Sequence, residues 1–176
     1  MSKEVILCDV DGTLADINHR LHYIKNDDDT LKPYAERDWD SFNEACAEDR
    51  PNEDVIEILN SLRLAAPWGR WTYDEATPRE RDVYFLSGRN EVVRGTTVAW
   101  LQKYVLPDSS KLAITASLWM RKADDRRPDT EIKLEMVREL GFTPDDVLCI
   151  LDDRQCVVDM WRENGYRCLQ VDAWEE

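Results

Sequence analysis

The stretch Val5-Ile6-Leu7-Cys8-Asp9-Val10-Asp11-Gly12-Thr13-Leu14 decides the fold that the rest of the chain is expected to adopt. Its first four residues are apolar and partly β-branched, and Asp and Gly soon follow. This pattern is typical of a buried strand that ends in a loop. The strand would carry Asp9 and Asp11 at its tip. Two carboxylates separated by one residue could hold a metal ion and divide nucleophilic attack from proton transfer.

Further apolar stretches alternate with helical patterns along the chain. Because near-continuous apolar strands between helices are typical of a parallel sheet covered on both faces, we predict an α/β fold with about five parallel strands. A loop rich in Pro, Gly and charge, residues 67–82, is expected at the sheet edge away from the chemistry. The later strands are predicted at 83–86, 116–120, 147–151 and 166–171, and the main helices follow Pro51 and cover 91–104, 128–140 and a segment ending at Asn164.

The length of 176 residues fits one domain, residues 1–176. Within it, residues 16–50 are predicted to form a small helical cap. Trp39, Phe42 and Cys46 recur there at three- and four-residue spacing, which indicates one short amphipathic helix.

The composition limits the partners and the compartment. A formal net charge of -14 disfavours broad binding to nucleic-acid duplexes, and the basic loop 121–127 is the one dense positive patch in the sequence. Five cysteines, an odd number without CxxC spacing, indicate reduced thiols rather than a disulfide or zinc framework. Neither a signal-peptide core nor a membrane-length apolar run is present in the sequence, so a cytoplasmic protein without membrane contact is expected.

Several polar residues lie at or just after the predicted strand ends. Because ligands collect at the carboxyl ends of parallel strands, we expect these side chains to meet at one edge of the sheet. They are Asp9, Asp11, Ser87, Arg121, Asp152 and Asp153.

These residue types suit the cleavage of a phosphate ester. Asp9 could attack phosphorus and form an aspartyl-phosphate, while Asp11 gives a proton to the leaving oxygen and later takes one from water. Gly12 would allow the turn between strand and loop. Ser87 with backbone N–H groups could hold a phosphoryl oxygen, and Lys133, on its helix, could neutralise the charge of nucleophile and phosphoryl group.

A cluster of Asp9, Asp152 and Asp153 predicts a cation. Like charges raise one another's pKa, so three carboxylates stay ionised together only when a cation intervenes. Oxygen ligands of this kind suit Mg²⁺.

Each of these motifs also has a structural explanation. Asp-x-Asp and Ser-Gly-Arg commonly form turns, a helical Lys133 is by default solvated, and Asp152-Asp153 before a helix is by default an N-cap. Their occurrence in this order at consecutive strand ends favours the catalytic interpretation.

The same four motifs, Asp9-Val10-Asp11-Gly12-Thr13, Ser87-Gly88-Arg89, Lys133 and Asp152-Asp153, resemble those of haloacid-dehalogenase-type phosphatases. Residues 152–154, 157–162 and 168–171 resemble more closely the 3′-phosphatase domain of bacteriophage-type polynucleotide kinases. The resemblance implies a Rossmann-like sheet, Mg²⁺, and removal of a 3′-terminal phosphate, with 2′,3′-cyclic phosphates as further candidates, from DNA or RNA ends.

The resemblance also implies roles for particular residues. Asp153 matches the direct metal carboxylate and Asp152 its neighbour, while Asp11 would contact the metal through its backbone carbonyl. Four arginines match positions where these phosphatases keep site arginines, and the alternative for each is a solvated charge. They are Arg20, Arg89, Arg121 and Arg154.

Three functions follow as hypotheses. The leading one is a Mg²⁺-dependent phosphomonoesterase acting on 3′-phosphorylated DNA or RNA ends or on nucleoside 3′-phosphates. The second is a general nucleotide or small-molecule phosphatase of 5′-nucleotidase type, which the acidic composition favours. The third is a non-catalytic module that binds phosphate ends, which the presence of nucleophile, acid/base and metal carboxylates disfavours. The sequence contains no GxxxxGK[ST] loop, so the kinase half of such enzymes is expected to be absent, and a separate kinase or ligase is a candidate partner.

Overall fold

The structure is a computed structural model that describes residues 5–64 and 80–174. The strands are β1 (Val5–Cys8), β2 (Ala15–Asp16), β3 (Arg50–Pro51), β4 (Asp82–Asn90), β5 (Leu118–Arg121), β6 (Val147–Arg154) and β7 (Cys168–Trp174). The α-helices are α1 (Trp39–Glu44), α2 (Glu53–Leu64), α3 (Arg94–Tyr104), α4 (Lys111–Ser117), α5 (Asp129–Leu140) and α6 (Gln155–Glu163).

Five strands form one parallel sheet in the order β5-β4-β1-β6-β7. The first strand lies at the centre, because β1 pairs with β4 on one side and with β6 on the other. The predicted α/β fold with about five parallel strands is therefore confirmed. The central position of β1 places Asp9, directly after it, in the middle of the carboxyl edge.

Helices cover both faces of the sheet. Alternate residues of β1 point to opposite sides, so Ile6 and Cys8 pack with α2, α3 and α4, whereas Val5 and Leu7 pack with α5 and α6. Among the described residues, the largest fully buried side chain is Trp161 of α6. A strand buried on both faces explains why the first apolar run shows no polar alternation.

The prediction for the third strand was wrong at its start. Ala116 and Ser117 end helix α4, and β5 begins only at Leu118. Ser110 begins this helix, since its side chain accepts a hydrogen bond from the backbone N–H of Ala113. The boundary between α4 and β5 therefore falls within one stretch of the sequence, residues 116–120, that was predicted as a single strand.

The segment 16–50, called the cap segment below, follows the turn after β1. A short strand lies at each of its ends. β2 and β3 pair antiparallel, with Ala15 opposite Pro51 and Asp16 opposite Arg50. The predicted amphipathic helix is found as α1, which continues into a 3-10 turn at Ala45–Glu48. Further 3-10 turns cover Asn18–Tyr23 and Tyr34–Glu36. The division into one domain with an inserted cap stays a prediction.

The predicted 67–82 loop falls largely outside the described residues. Within the parts of the chain that are described, no helix combines the length and the apolar character needed to cross a membrane. All five cysteines are free thiols, as the odd count suggested.

Candidate active site

The first part of the site is a tight turn that follows β1. The backbone N–H groups of Leu14 and Ala15 both donate to the carbonyl oxygen of Val10, at 3.0 and 2.8 Å. Gly12 within this turn has a φ of 82°, and a Cβ built there would lie 2.0 Å from Oδ2 of Asp153. A glycine is needed here for two reasons, the left-handed backbone and the close approach of the end of β6.

This double requirement predicts that Gly12→Ala will be more harmful than a matched glycine substitution. Gly141 also has a positive φ, 74°, but no atom lies within 4 Å of a Cβ built there. Gly141→Ala should lose about 1–2 kcal/mol of unfolding free energy through backbone strain alone. Gly12→Ala should lose more and should also weaken Mg²⁺ binding, because the Asp153 carboxylate must move. Denaturant unfolding and Mg²⁺ titration of both variants check this, and equal losses would contradict it.

A buried ammonium joins two of the predicted carboxylates. Lys133 Nζ lies 2.7 Å from Asp9 Oδ1 and 2.9 Å from Asp152 Oδ2, and all three side chains are almost fully buried. Trp161 Nε1 also donates to Asp152 Oδ2, at 3.2 Å. Burial lowers the pKa of Lys133, but the charges of Asp152 and Asp9 outweigh this effect and raise it above its ordinary value. Lys133 is therefore a fixed cation beside Asp9, and not the solvated helix residue that is its default interpretation.

Asp9, Asp152 and Asp153 form the predicted carboxylate cluster. One oxygen from each lies within 4.8 Å of the others. Asp152 Oδ1 is buried without a hydrogen-bond partner among the described residues. Burial raises the pKa of Asp9, and burial with the Asp152 charge raises the pKa of Asp153 to about 7. Three carboxylates against the one ammonium of Lys133 leave an excess of negative charge that a divalent cation would neutralise, so the donor set fits Mg²⁺.

The raised pKa of Asp153 predicts pH-dependent Mg²⁺ binding. Below about pH 7 the carboxyl holds a proton that the cation must displace, so affinity should fall with decreasing pH and binding should release protons. Between pH 8 and pH 6 we expect about a tenfold loss of affinity, since a ligand with a pKa near 7 becomes mostly protonated over that range. Calorimetric titration in buffers of different ionisation enthalpy measures affinity and proton release together. Identical affinities at both pH values would contradict this assignment.

Asp11 lies in a separate network with two buried arginines. Its Oδ1 accepts from Arg20 Nη2 at 2.6 Å and from Arg89 Nε at 2.7 Å. Burial by itself raises the pKa of Asp11, but the charges of Arg89 and Arg20 outweigh it and lower the pKa to about 2. Asp11 is thus a carboxylate at neutral pH. Its Oδ2 accepts no hydrogen bond from any described residue, so that oxygen is available to a ligand.

Asp49 completes this network and was not predicted from the sequence. Its carboxylate accepts from Arg20 Nε at 2.7 Å and from Arg89 Nη2 at 2.5 Å, and His19 Nε2 lies 2.9 Å from it. Its side chain is fully buried, as are those of Arg20 and Arg89. The two arginines are therefore held between Asp11 and Asp49, and their predicted contact with substrate stays a prediction.

The other two predicted arginines share a different carboxylate. Arg121 and Arg154 both form ion pairs with Asp129, at the start of α5. Arg121 Nε also donates to the carbonyl oxygen of Gly88 at 3.0 Å, and its Nη1 to that of Arg127 at 2.7 Å. About a fifth of each arginine side chain stays exposed. Asp129 thus binds both arginine side chains, and each stays partly exposed to solvent.

Ser87 lies near the end of β4 and is fully buried. Its Oγ accepts from the backbone N–H of Arg89 at 3.2 Å. Thr13 approaches both Asp9 and Asp153, with Oγ1 3.4 and 3.5 Å from their carboxylate oxygens. The predicted residues thus form three charged groups: the cluster with Lys133, the Asp11 network, and the arginine pair on Asp129.

Comparisons with known proteins show which family the chain is similar to. A family model of the polynucleotide kinase PNKP phosphatase domain matches residues 24–175. The protein "Putative bifunctional polynucleotide kinase/RNA ligase" of Autographa californica nuclear polyhedrosis virus is 28% identical over 158 residues, which cover 90% of this chain and 18% of the viral protein.

Solved structures show the same similarity. A chain from the structure of the Pnkp1/Rnl/Hen1 RNA repair complex superimposes with a TM-score of 0.68 and 29% identity, covering 98% of this chain and 43% of that chain. A predicted phosphatase from Clostridium acetobutylicum shares the fold, with a TM-score of 0.61 at 15% identity. The superposition covers 98% of this chain and 86% of the Clostridium chain.

The present chain spans less than half the length of the viral protein and of the repair-complex chain. The family match nevertheless covers most of it, from the cap segment to the end of the sheet. The chain therefore belongs to the family of PNKP-type polynucleotide kinase phosphatase domains, haloacid-dehalogenase-type hydrolases that act on phosphomonoesters.

Proposed function

We propose that this phosphatase domain removes the 3′-terminal phosphate from nucleic-acid ends or nucleoside 3′-phosphates, with Mg²⁺, through an aspartyl-phosphate on Asp9. The observation that carries the proposal is the pairing of Asp9 with Lys133, at 2.7 Å, inside a carboxylate cluster at the centre of the sheet edge. An ammonium at that distance favours the ionised carboxylate and opposes the burial that raises the pKa of Asp9. It also neutralises charge as a phosphoryl group arrives.

In the first step an oxygen of Asp9 forms a bond to phosphorus, and the bond between phosphorus and the ester oxygen breaks. The leaving 3′-oxygen takes a proton from Asp11. In the second step water attacks phosphorus, Asp11 takes the proton from that water, the bond from Asp9 to phosphorus breaks, and inorganic phosphate leaves. Ser87 and nearby backbone N–H groups are proposed to hold the phosphoryl oxygens.

The Asp11 network suits the proton transfers. Because Arg20 and Arg89 both bind Oδ1, Oδ2 is the oxygen that we assign to proton transfer. The lowered pKa of Asp11, about 2, favours the carboxylate, which is the form that accepts a proton from water. A bound phosphate brings negative charge beside Asp11, and this raises its pKa toward the protonated form needed in the first step.

Mg²⁺ is the cofactor that the carboxylate cluster fits. We assign Asp9, Asp153 and Asp152, with the backbone carbonyl of Asp11, to holding it. When bound, Mg²⁺ supplies neutralisation of the phosphoryl charge.

The arginine pair supports a polynucleotide substrate. The side chains of Arg121 and Arg154 are each about a fifth exposed, on an otherwise acidic protein. A planar guanidinium binds phosphate oxygens well, so the pair can hold a phosphodiester next to the terminal phosphate. A mononucleotide lacks that group. The viral relative is described as a bifunctional polynucleotide kinase/RNA ligase, and the similar solved chain comes from an RNA repair complex, so we propose a kinase or ligase as a functional partner of this domain.

A substrate panel tests the proposal. Specificity constants are measured for short DNA and RNA strands that carry a 3′-phosphate, a 5′-phosphate or a 2′,3′-cyclic phosphate, with and without chelator. We expect a 3′ preference of at least about tenfold and loss of activity on Mg²⁺ removal. A clear 5′ preference would instead favour the general nucleotide phosphatase that the net charge of -14 suggests.

A further inference from the structure

An aromatic patch on the cap segment lies outside the machinery described so far. It consists of Tyr34, Arg37 and Trp39 and is called the aromatic platform below. The rings of Tyr34 and Trp39 have centroids 6.1 Å apart, and Arg37 Cζ lies 5.7 and 5.9 Å from them. Tyr34 is 54% exposed. The two ring planes are tilted by 48°, so the exposed Tyr34 ring beside the Arg37 guanidinium is the face suited to stacking another planar group.

The aromatic platform is held in place by its surroundings. Arg37 Nε donates to the carbonyl oxygen of Lys32 at 2.8 Å. Asp38 begins helix α1 by accepting from the backbone N–H of Ser41 at 3.0 Å, and its own N–H donates to the carbonyl oxygen of Tyr23. The two terminal nitrogens of Arg37 form no hydrogen bond with a described residue. They are therefore available to a phosphate oxygen.

A line of side-chain contacts connects the platform to the proposed acid/base. Trp39 meets Phe42 edge-on with ring centroids 5.8 Å apart, Arg20 Cζ lies 4.2 Å from the centre of the Phe42 ring, and Arg20 binds Asp11. Helix α1 is also fixed to the catalytic edge, because Asn43 Oδ1 accepts from the backbone N–H at the end of β4. Two side chains, Phe42 and Arg20, thus separate the platform from Asp11.

We propose that the aromatic platform stacks a nucleobase of the strand that carries the 3′-phosphate, upstream of the phosphorylated nucleotide. The inference rests on the proposed function and names its substrate class as single-stranded oligonucleotide ends rather than mononucleotides. With a net charge of -14, the protein gains little from general attraction to the phosphate backbone. Stacking attracts any base through its π-face, and it persists when salt screens charges.

The test compares a 3′-phosphorylated hexanucleotide with a nucleoside 3′-monophosphate. For Tyr34→Ala, the ratio of their kcat/KM values should fall about tenfold relative to the parent protein, mainly through KM for the hexanucleotide. Tyr34→Trp should keep the parental ratio, because it restores an aromatic face. Leu112→Ala removes another exposed apolar side chain, on α4 before β5 and hence away from the carboxyl edge, and should also keep it.

A hexanucleotide with an abasic site in place of the upstream base provides the second readout. Its kcat/KM should already be low with the parent protein and should respond little to Tyr34→Ala. If the ratio is unchanged in Tyr34→Ala while the protein still prefers 3′-phosphates, the platform does not bind the strand and the inference is overturned, with the proposed function intact. If the protein instead prefers 5′-phosphates, the proposed function fails first, and the inference with it.

Discussion

Asp9→Asn is expected to abolish phosphate release from 3′-phosphorylated oligonucleotides, with a fall in kcat of about 10³-fold or more. The amide keeps the size of the side chain but is not a nucleophile toward phosphorus. It also removes the anion that Lys133 pairs with at 2.7 Å, so the ammonium is left with Asp152. Steady-state phosphate release with a 3′-phosphorylated hexanucleotide measures the effect.

The matched control is Asp108→Asn, which makes the same change at an exposed site in the loop after α3, away from the carboxyl edge. It should retain parental activity. Circular dichroism of both variants checks that the fold is intact. An Asp9→Asn protein with unimpaired turnover would refute the aspartyl-phosphate mechanism.

Asp49→Asn is expected to destabilise the fold by about 3–5 kcal/mol, the range seen when one partner of a buried ion pair is removed. Asp49 accepts from both Arg20 and Arg89, and all three side chains are fully buried. Without its charge, two guanidinium groups would share the single carboxylate of Asp11. The midpoint of denaturant unfolding measures the loss.

Asp40→Asn provides the comparison in the same cap segment, because Asp40 is exposed in the first turn of α1. It should change the unfolding free energy by less than about 0.5 kcal/mol. Equal stability of Asp49→Asn and the parent would show that Asp49 does not hold the arginines in solution.

The main features of the fold and site could be predicted because they depend on local patterns. A β-branched apolar run followed by an acid indicates a buried strand tip, and parallel topology brings such tips together. Asp9 and Asp152, 143 positions apart in the chain, are both bound to Lys133 in this way. The sequence order of strands and helices was sufficient to predict that Asp9 and Asp152 meet at one edge of the sheet.

Features that depend on distant pairing could not be predicted. Asp49 lies in an acidic, polar stretch, Glu48-Asp49-Arg50, which is typical of a solvated turn. Its partners are 29 and 40 residues away in the sequence, so nothing local distinguishes it from its exposed neighbours. Asp129 likewise lies in the acidic first turn of α5, and its local sequence does not reveal that it binds Arg121 and Arg154.

The most direct test of the account is capture of the covalent intermediate. The protein is mixed with an oligonucleotide that carries ³²P in its 3′-phosphate, quenched with acid after milliseconds, and examined for label on the polypeptide. An aspartyl-phosphate formed on Asp9 from a 3′-phosphate predicts acid-stable label on the parent protein and none on Asp9→Asn. It also predicts no label on the protein when the same label is placed at the 5′ end of the oligonucleotide. Phosphate release from the 3′ end without label on the protein, or label that persists in Asp9→Asn, would contradict it.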